Sequence, residues 1–349
     1  MKRALVLAGG GARGAYQVGM LQELVVNQGL DFKIIRGVSV GALNASFLAQ
    51  APARSGSGGL KEMVKALHKL WLEIKGDHSI YAERQGFAGV VAGADSLYSL
   101  EPLRDLINRN ISLKSLQNSG RDFAVGTVSL VSGQYKEWTP KHENFIDKLV
   151  ASASIPVVFP YVDMKSKKEV LVDGGVRNIT PLSSAFSAKP DEIYILLTSR
   201  LIRTGTELPD SGVRVQKYGQ WDDNLLGTKV SGIDVLKRTI DILTDEVYLD
   251  DIRGALSWNE VAESIIELEQ ASEGKRLPSD VMKKIKKVSQ SLKNVKKRPV
   301  PIFVIAPREW FGKENKSTEF SPDLIQQAVK HGQEVAANRK LWIWPPHRL

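Results

Sequence analysis

A serine stands between two glycines in the segment Gly37-Val38-Ser39-Val40-Gly41, which has the G-x-S-x-G pattern of a nucleophile elbow. A short, largely apolar run, Phe32 to Ile35, comes before it, with Arg36 in between. The order of strand, tight turn and helix presents the serine hydroxyl at the end of a sheet, and the glycines allow so sharp a turn. Ser39 is therefore a candidate nucleophile for attack on an acyl carbonyl, provided that a base activates it.

The second motif is a glycine-rich loop, Gly9-Gly10-Gly11-Ala12-Arg13-Gly14, between the first predicted strand and the first predicted helix. Backbone N–H groups at a helix N-terminus are unpaired, and the missing side chains let an anion come close. Acyl transfer passes through a tetrahedral oxyanion, which needs two or more donors at about 3 Å. We predict that the amides of Gly10 and Gly11 supply them.

The same loop also matches G-x-G-x-x-G, the dinucleotide-binding pattern. The acidic residue that binds the ribose is expected at the end of the second strand, whereas Asp31 lies at the start of that strand. A P-loop is excluded because Ala15 and Tyr16 follow Gly14 in place of Lys and Ser or Thr. A nucleotide-binding module stays an alternative function, and a plain strand–helix turn stays the simplest explanation of the loop.

A serine hydroxyl needs a base, which is often histidine. The chain has five histidines, and only His331 and His347 fit the Ser–acid–His order of an ordinary α/β-hydrolase. None of the five lies in a strand-end loop, and we expect all of them at the surface. A Ser–His–Asp hydrolase therefore stays an alternative that depends on His331.

An aspartate is the better candidate for the base. Asp173 follows a predicted strand in Val172-Asp173-Gly174-Gly175, although Asp-Gly after a strand is also a common turn signal. To act on Ser39, this carboxylate has to lie within hydrogen-bond reach of the hydroxyl and be partly buried, because burial raises its basicity.

Strands and helices alternate along much of the chain in the hydrophobic pattern. Strands are predicted at 4–8, 32–36, 123–128, 169–172, 192–198 and 300–305, and a hairpin is predicted at 130–138 with its turn at 132–133. Helices are predicted at 15–26, 42–50, 60–74 and 322–337. A flexible connection is predicted at 51–59. Such alternation is typical of a layered α/β fold with a mainly parallel sheet.

Residues 205–298 break this alternation. Two helical seams of apolar residues occur there, one in an acidic stretch and one in a lysine-rich stretch: Trp258, Val261, Ile265 and Leu268, then Val281, Ile285, Val288, Leu292 and Val295. We predict an antiparallel helical hairpin that turns near 274–278 and is inserted into a single domain spanning 1–349. Its basic helix is explained either by contact with an anionic membrane or by a solvated charged face.

The 349 residues carry a net charge of +9 and contain no cysteine. Disulfides, thiolate metal sites and a cysteine nucleophile are therefore excluded. The positive charge favours anionic partners, either lipid surfaces or nucleic acid. No apolar run has the length of a signal-peptide core or a transmembrane helix, so we expect a cytoplasmic location, with peripheral contact to a membrane as an option. The apolar stretch 87–93 is a candidate for lining the acyl cleft or for a lid, and equally for core packing. The segment 341–344 is a candidate for insertion at a lipid interface, although packing against its own domain is favoured.

Three motifs in this order resemble the patatin-like phospholipase family: the glycine loop 9–14, the serine elbow 37–41 and Asp173-Gly174-Gly175. The segment 151–160 is similar to the family's stretch ahead of the aspartate. The likeness covers roughly residues 3–185, and the strand at 300–305 and the helix at 322–337 resemble the family's closing elements. The resemblance implies a three-layer α/β/α fold with a mainly parallel central sheet and a helical insertion.

The resemblance also implies roles. Ser39 is the nucleophile and Asp173 its base, in a catalytic dyad without histidine, and Arg13 orients the loop. The implied reaction is hydrolysis of a phospholipid or other acyl lipid with no cofactor, no metal and no nucleic acid partner; transfer of the acyl group to an acceptor alcohol uses the same residues. The further site residues are the oxyanion-hole segment Gly9, Gly10, Gly11, Ala12, Arg13 and Gly14, the elbow residues Gly37, Val38, Val40 and Gly41, and the motif glycines Gly174 and Gly175.

Overall fold

An eight-stranded, mostly parallel sheet forms the centre of the computed structural model, which describes residues 1–84, 94–165, 168–200, 232–272, 278–294, 299–309 and 318–342. The strands are β1 Arg3–Leu7, β2 Ile34–Val38, β3 Ala82–Glu83, β4 Tyr98–Ser99, β5 Asp122–Ser129, β6 Tyr135–Trp138, β7 Val162–Met164, β8 Glu169–Asp173, β9 Glu192–Leu196 and β10 Ile302–Ile305. Their order is β10-β9-β1-β2-β5-β8-β7, with β6 beside β5, while β3 and β4 form a separate two-stranded ribbon.

The five strands from β10 to β5 are all parallel to their neighbours. They are buried on both faces, as strands of a parallel sheet covered by helices are. In β1, Leu5 and Leu7 face one hydrophobic core, while Ala4 and Val6 face the other. The predicted mixed α/β fold with a mainly parallel sheet is confirmed.

Helices cover both faces of the sheet. They are α1 Gly14–Leu21, α2 Val40–Ala49, α3 Gly56–Leu72, α4 Glu101–Asn110, α5 Leu113–Asn118, α6 Phe145–Ser152, α7 Leu182–Ser187, α8 Gly232–Ser272, α9 Ser279–Asn294 and α10 Pro322–Ala337. The larger core packs α1, α2, α3 and α10 against one face, and the second core packs α7 and α8 against the other. The predicted site motifs lie where strands of this sheet end and helices begin.

Strand β5 has neighbours of both directions. Along one edge it pairs with β6, antiparallel, from Val125 to Val128. Along the other edge it pairs first with β2, in parallel, up to Gly126, and then with β8, antiparallel, from Thr127 onwards. Strands β2 and β8 therefore meet end to end on the same edge of β5.

The predicted flexible connection at 51–59 is wrong. A 3-10 turn spans Ala53–Ser55, and α3 begins at Gly56, four residues before its predicted start. Contact with the chain ahead of β5 fixes this segment, since the Ala53 amide donates to the Ser119 carbonyl at 2.6 Å. The glycines and serines there are part of a helix start rather than a linker.

The seams predicted for 205–298 are only partly buried: Ile285 is buried as predicted, and Trp258 and Ile265 are half-buried. Helices α8 and α9 contact each other, and Ser289 donates to the Glu269 carboxylate, but Val261, Leu268, Val281 and Val288 are exposed. Asn259 is buried instead, because its amide both donates to the Val300 carbonyl at 2.6 Å and accepts from the Val300 amide at 3.1 Å. The small Ala255 and Ala262 share that buried face. The turn predicted near 274–278 falls largely outside the described residues.

Trp342, which was a candidate for lipid contact, is buried. Its ring packs edge-on against Tyr194 and Phe303, and its indole N–H donates to the Val335 carbonyl at 3.2 Å. The segment 87–93 and the residues after Trp342 lie outside the described residues. Across the described part of the chain, no helix has both the length and the apolar character needed to span a bilayer.

Candidate active site

Ser39 occupies a strained turn between β2 and α2. Its backbone has φ 55° and ψ −133°, a combination that non-glycine residues rarely adopt and that is typical of functional sites. The turn is tight because α2 passes directly over β1: a Cβ on Gly41 would lie 2.1 Å from the Leu7 carbonyl oxygen. The predicted strand–turn–helix order is thus present, although β2 begins two residues later than expected and extends to Val38.

Asp173 comes next to Ser39 through strand register. Val38, the last residue of β2, is opposite Gly126 of β5, and Asp173, the last residue of β8, is opposite Thr127. Because β2 and β8 lie on the same edge of β5, these two strand ends meet. The side chains of Ser39 and Asp173 are close enough for the serine hydroxyl to lower the pKa of the carboxyl. Two residues that are far apart in the sequence are therefore neighbours.

Burial dominates the electrostatics of Asp173. It raises the pKa of this carboxyl to about 7, and hydrogen bonds from the Ser39 hydroxyl and the Gly175 amide oppose the shift. The Gly175 amide donates to Oδ1 at 2.7 Å, while Oδ2 is buried without a well-formed hydrogen bond from any described residue. A carboxylate of this basicity is able to accept a proton from a serine hydroxyl near neutral pH.

The glycine loop approaches Ser39 from β1. Gly10 has φ 145°, and a Cβ there would lie 2.0 Å from the hydroxyl oxygen of Thr198, so both the backbone conformation and the space require glycine. The Thr198 hydroxyl donates to the Gly9 carbonyl, and the buried Arg13 donates through Nε to the Gly10 carbonyl at 3.3 Å. These contacts fix the loop from two sides.

The start of the helix after this loop is directed towards the elbow. Gly11 begins a 3-10 turn that continues into α1, and the first amides of a helix have no acceptor within it. A Cβ on Gly9 would lie 3.1 Å from the Ser39 Cβ, and Gly11 lines the same cavity as Ser39. The amides at the helix start and the Ser39 side chain thus face the same cavity.

The remaining predicted site residues surround this pair. Gly14 packs against the side chain of Val40, Gly37 against the backbone of Gly41, and Gly174 against the Gly126 carbonyl, each closely enough that a Cβ would clash. Gly175 binds the Asp173 carboxylate, Val38 ends β2, and Ala12 is buried in the 3-10 turn.

A residue that the sequence did not single out connects the elbow to the sheet. Ser152, the last residue of α6, accepts a hydrogen bond from the Ser39 amide at 3.0 Å and donates one to the Gly126 carbonyl at 2.7 Å. Two residues on, the Ser154 carbonyl accepts from the Asp173 amide at 2.9 Å. The only sequence signal was that this serine lies in the segment 151–160, which resembles a family motif.

A largely apolar cavity of about 920 Å³, open to solvent, extends from Ser39. It runs along α2 beneath α3 and α4, and its walls are mainly aliphatic and aromatic: Val40, Leu43, Phe47, Leu67, Leu70, Trp71, Ile74, Ile80, Leu100, Leu103, Leu106, Ile107, Ile111, Ala153, Ile155, Phe159 and Phe320. Its lining is suited to a hydrocarbon chain.

Buried amides connect the cavity wall to the glycine loop. The Trp71 indole donates to Asn44 at 2.9 Å, Asn44 donates to Gln17 at 3.0 Å, and Gln17 donates to the Ala8 and Leu196 carbonyls. Since buried polar groups need partners, this chain of bonds holds α1, α2 and α3 in one arrangement around the site.

His331 is buried, so the expectation of a surface position is wrong for this residue. It lies on α10, where its Nε2 accepts from the Arg308 and Glu309 amides at 2.9 and 3.3 Å and its ring packs edge-on against Tyr16. A nitrogen that already accepts two backbone bonds is not free to take a proton from serine. His78 and His142 are exposed, His68 is half-buried on α3, and His347 lies outside the described residues.

Comparison with known proteins identifies the family. Residues 5–186, more than half of the chain, match the family model of patatin-like phospholipases. The chain belongs to this family. The match spans the glycine loop, the serine elbow and the aspartate motif, so the family predicted from the sequence is confirmed. Among the described residues, no cluster of His, Asp and Glu side chains is arranged to hold a metal ion.

Two solved structures are similar at low identity. VipD from Legionella pneumophila is 16% identical with a TM-score of 0.38, and the alignment covers 97% of this chain and 66% of that one. ExoU from the type III secretion system of Pseudomonas aeruginosa, determined in complex with SpcU, is 16% identical with a TM-score of 0.29, covering 71% and 51%. The chain thus spans between half and two thirds of these proteins. No curated protein matches it.

Proposed function

We propose that this protein is a lipid acyl hydrolase of the phospholipase A or esterase type. The observation that carries the proposal is the meeting of Ser39 with a buried aspartate at the end of an apolar cavity. The membership of the patatin-like phospholipase family supports the same reaction class. A hydrocarbon chain fills such a cavity favourably, because each buried methylene contributes about 0.8 kcal/mol.

In the proposed reaction, the Ser39 hydroxyl oxygen attacks the ester carbonyl while its proton passes to the Asp173 carboxylate. The amides of Gly10, Gly11 and Ala12 donate to the resulting oxyanion, and each such donor contributes about 3 kcal/mol to transition-state stabilisation. The carbon–oxygen bond to the alcohol breaks, and the alcohol leaves with the proton held by Asp173. An acyl-Ser39 ester remains.

The second half of the reaction reverses these roles. Asp173, again a carboxylate, takes a proton from water as the water oxygen attacks the acyl carbon. The Ser39 oxygen leaves and recovers the proton from Asp173, and the fatty acid departs. Raised basicity at Asp173 suits both half-reactions, since the same group has to accept and return a proton near neutral pH.

A fluorophosphonate probe tests this proposal directly, with the adduct located by mass spectrometry. Modification at Ser39 is expected, and Asp173→Asn is expected to abolish both labelling and cleavage of a soluble short-chain ester. Asp163→Asn, a change at an exposed aspartate on β7, is the matched control and retains both. Ester cleavage that persists in Ser39→Ala would overturn the proposal.

Acyl transfer to an acceptor alcohol uses the same residues, and no contact in the site favours it. Offering an acceptor alcohol together with water separates the two reactions. More free fatty acid than acylated acceptor supports hydrolysis, and the reverse supports transfer.

We also propose that residues 205–298 are an insertion within a single domain spanning 1–349. The packing of Ile252 and Ala255 with strands β9 and β10 in one core supports this, as do the two bonds between Asn259 and Val300. A single cooperative unfolding transition, followed by probes in α8 and in the sheet, is expected.

A further inference from the structure

Exposed apolar side chains concentrate at the carboxyl end of the sheet, beside the catalytic pair. Of the large hydrophobic residues that are exposed in the described part of the chain, five lie in segments around this end: Leu130, Val131, Val157, Tyr161 and Val176. Single exposed hydrophobics are ordinary, but a group of them around an active site marks an interaction surface.

The strand register explains why these residues project past the site. Strand β5 continues for Thr127, Val128 and Ser129 beyond the point where β2 ends, which carries it about 10 Å past the level of Val38. Leu130 and Val131 form the tip of the following hairpin. They therefore lie beyond the level of the elbow, and both are exposed.

The turn that follows Asp173 joins the same surface. Val176 ends the 3-10 turn Gly174–Val176, and the next residue, Arg177, donates to the Gly133 carbonyl of the hairpin tip at 3.0 Å. On the other side, the Leu130 amide donates to the Val170 carbonyl of β8 at 2.8 Å. The hairpin tip and the catalytic turn are thus held together.

Cationic side chains accompany the apolar ones. Lys165 and Lys168, in the turn between β7 and β8, are exposed, as is Arg177. The carboxylate of Glu169, the first residue of β8 after this turn, is paired with Lys136 at 2.5 Å. Apolar side chains flanked by Lys and Arg are the pattern of proteins that bind the interface of anionic membranes.

We propose that Leu130, Val131 and Val176, together with Lys165, Lys168 and Arg177, form a docking rim that binds an anionic lipid surface. The apolar members enter the acyl region while the cations pair with lipid phosphates. The docked enzyme then has Ser39 and its cavity facing the surface from which a lipid is drawn. This inference rests on the proposed lipid hydrolysis.

The other exposed apolar group, on α8 and α9, is less suited to this partner. On α8, Val261 is adjacent to Glu260 and lies within one helical turn of Glu263. Leu268 on the same helix is adjacent to Glu267. Such carboxylates repel an anionic surface. The lysines of α9 make this helix the competing membrane site, so both helices serve as controls.

Sedimentation with phosphatidylglycerol-containing vesicles and with pure phosphatidylcholine vesicles tests the docking rim, using the full chain. Preferential binding to the anionic vesicles is expected, and Leu130→Ser/Val131→Ser is expected to weaken it roughly tenfold. Val261→Ser/Leu268→Ser is the matched control, because the exposed fractions are 54% and 65% in the rim pair and 54% and 52% in the control pair. Equal binding by wild type and rim variant, or loss in the control alone, would overturn the inference.

Charge is tested in the same way. Lys165→Gln/Lys168→Gln is expected to weaken anionic-vesicle binding roughly tenfold, whereas Lys283→Gln/Lys286→Gln on α9 leaves it unchanged. The opposite result assigns the membrane contact to α9 and overturns the docking rim.

Ester cleavage and vesicle binding are measured separately. The rim variant Leu130→Ser/Val131→Ser is expected to cleave a soluble short-chain ester at the wild-type rate and vesicle lipid at a reduced rate. Ser39→Ala is expected to bind vesicles as the wild type does. If the wild-type protein binds vesicles but cleaves no ester, the docking rim is supported and the proposed function is overturned. If it cleaves esters but does not bind vesicles, the proposed function is supported and the docking rim is overturned.

Discussion

The Ser152 hydroxyl accepts a hydrogen bond from the Ser39 amide at 3.0 Å and donates one to the Gly126 carbonyl at 2.7 Å. It therefore ties the strained elbow, whose backbone conformation costs roughly 1–3 kcal/mol, to the strand that also pairs with β8. The Ser154 carbonyl, in the same turn, holds the Asp173 amide. The short segment from Ser152, the last residue of α6, to Ser154 thus positions both Ser39 and Asp173.

Ser152→Ala is expected to lower kcat for a soluble ester by roughly ten- to a hundredfold with little change in KM, because it misaligns the hydroxyl without touching the cavity. Steady-state kinetics and the rate of fluorophosphonate labelling check this. Ser154→Ala is the matched control, since that buried hydroxyl donates only to the Val150 carbonyl within its own helix turn. A Ser152→Ala enzyme with wild-type kcat would show that the contact has no positioning role.

The rate of ester cleavage is expected to increase with pH through about 7. Asp173 accepts a proton only as a carboxylate, and burial raises its pKa to about 7, so kcat/KM falls about tenfold per pH unit below that value. A pH–rate profile on a soluble ester measures the midpoint directly. A midpoint near pH 4, the range of an ordinary exposed aspartate, would contradict the burial argument.

Asp173→Asn is expected to unfold at higher denaturant concentration than the wild type at pH 8. The folded-state pKa of about 7 lies above the reference value of 3.8, so the folded state holds the proton more tightly than the unfolded state. Ionisation at pH 8 thus costs the wild type about 4 kcal/mol of stability, a cost that the neutral amide avoids.

This difference in the free energy of unfolding is expected to shrink as the pH falls from 7 to 4 and to vanish below that, where the wild-type carboxyl is protonated in both states. Urea titrations at pH 8 and pH 4 give the comparison. Asn keeps an oxygen for the Gly175 amide, so the turn is preserved. A variant that is less stable than the wild type at pH 8 would show that the charge is compensated in the folded protein.

Leu43→Phe is expected to shift ester preference towards shorter acyl chains. Leu43 lies about one helical turn after Ser39 on α2 and lines the cavity, so a larger ring there occupies the space of the distal methylenes. The ratio of kcat/KM for long-chain to short-chain esters is expected to fall at least about tenfold. Leu72→Phe, on the exposed side of α3, is the control and leaves the ratio unchanged.

Local sequence signals predicted the elements that carry local geometry. The elbow at Ser39, the hairpin before Tyr135 and α10 all follow from turn residues and short-range periodicity, and the structure has each of them. The three motifs also sufficed to predict the family. What they did not contain was the pairing of β8 with the upper part of β5, because strand partners and register depend on contacts between distant segments.

The same limit applies to individual residues. Ser152 and His331 acquire their roles from the carbonyl and amides that the fold brings to them, and the chemistry of the neighbouring residues predicts neither role. On α8, the apolar residues of the predicted seam are only half-buried or exposed. The buried face is set by Asn259, which pairs with the backbone of Val300, and by the small alanines on either side.

Because β2 and β8 meet end to end, the contact between Ser39 and Asp173 is less stable than the sheet that supports it. Asp173 is the last residue of β8, and β8 is joined to β5 by only three residue pairs. These pairs lie at the margin of a parallel sheet that is otherwise extensively paired. Marginal segments open locally at a lower free energy than the core. Gentle heating is therefore expected to separate Asp173 from Ser39 while the rest of the sheet stays folded. Ester cleavage is then lost and returns on cooling.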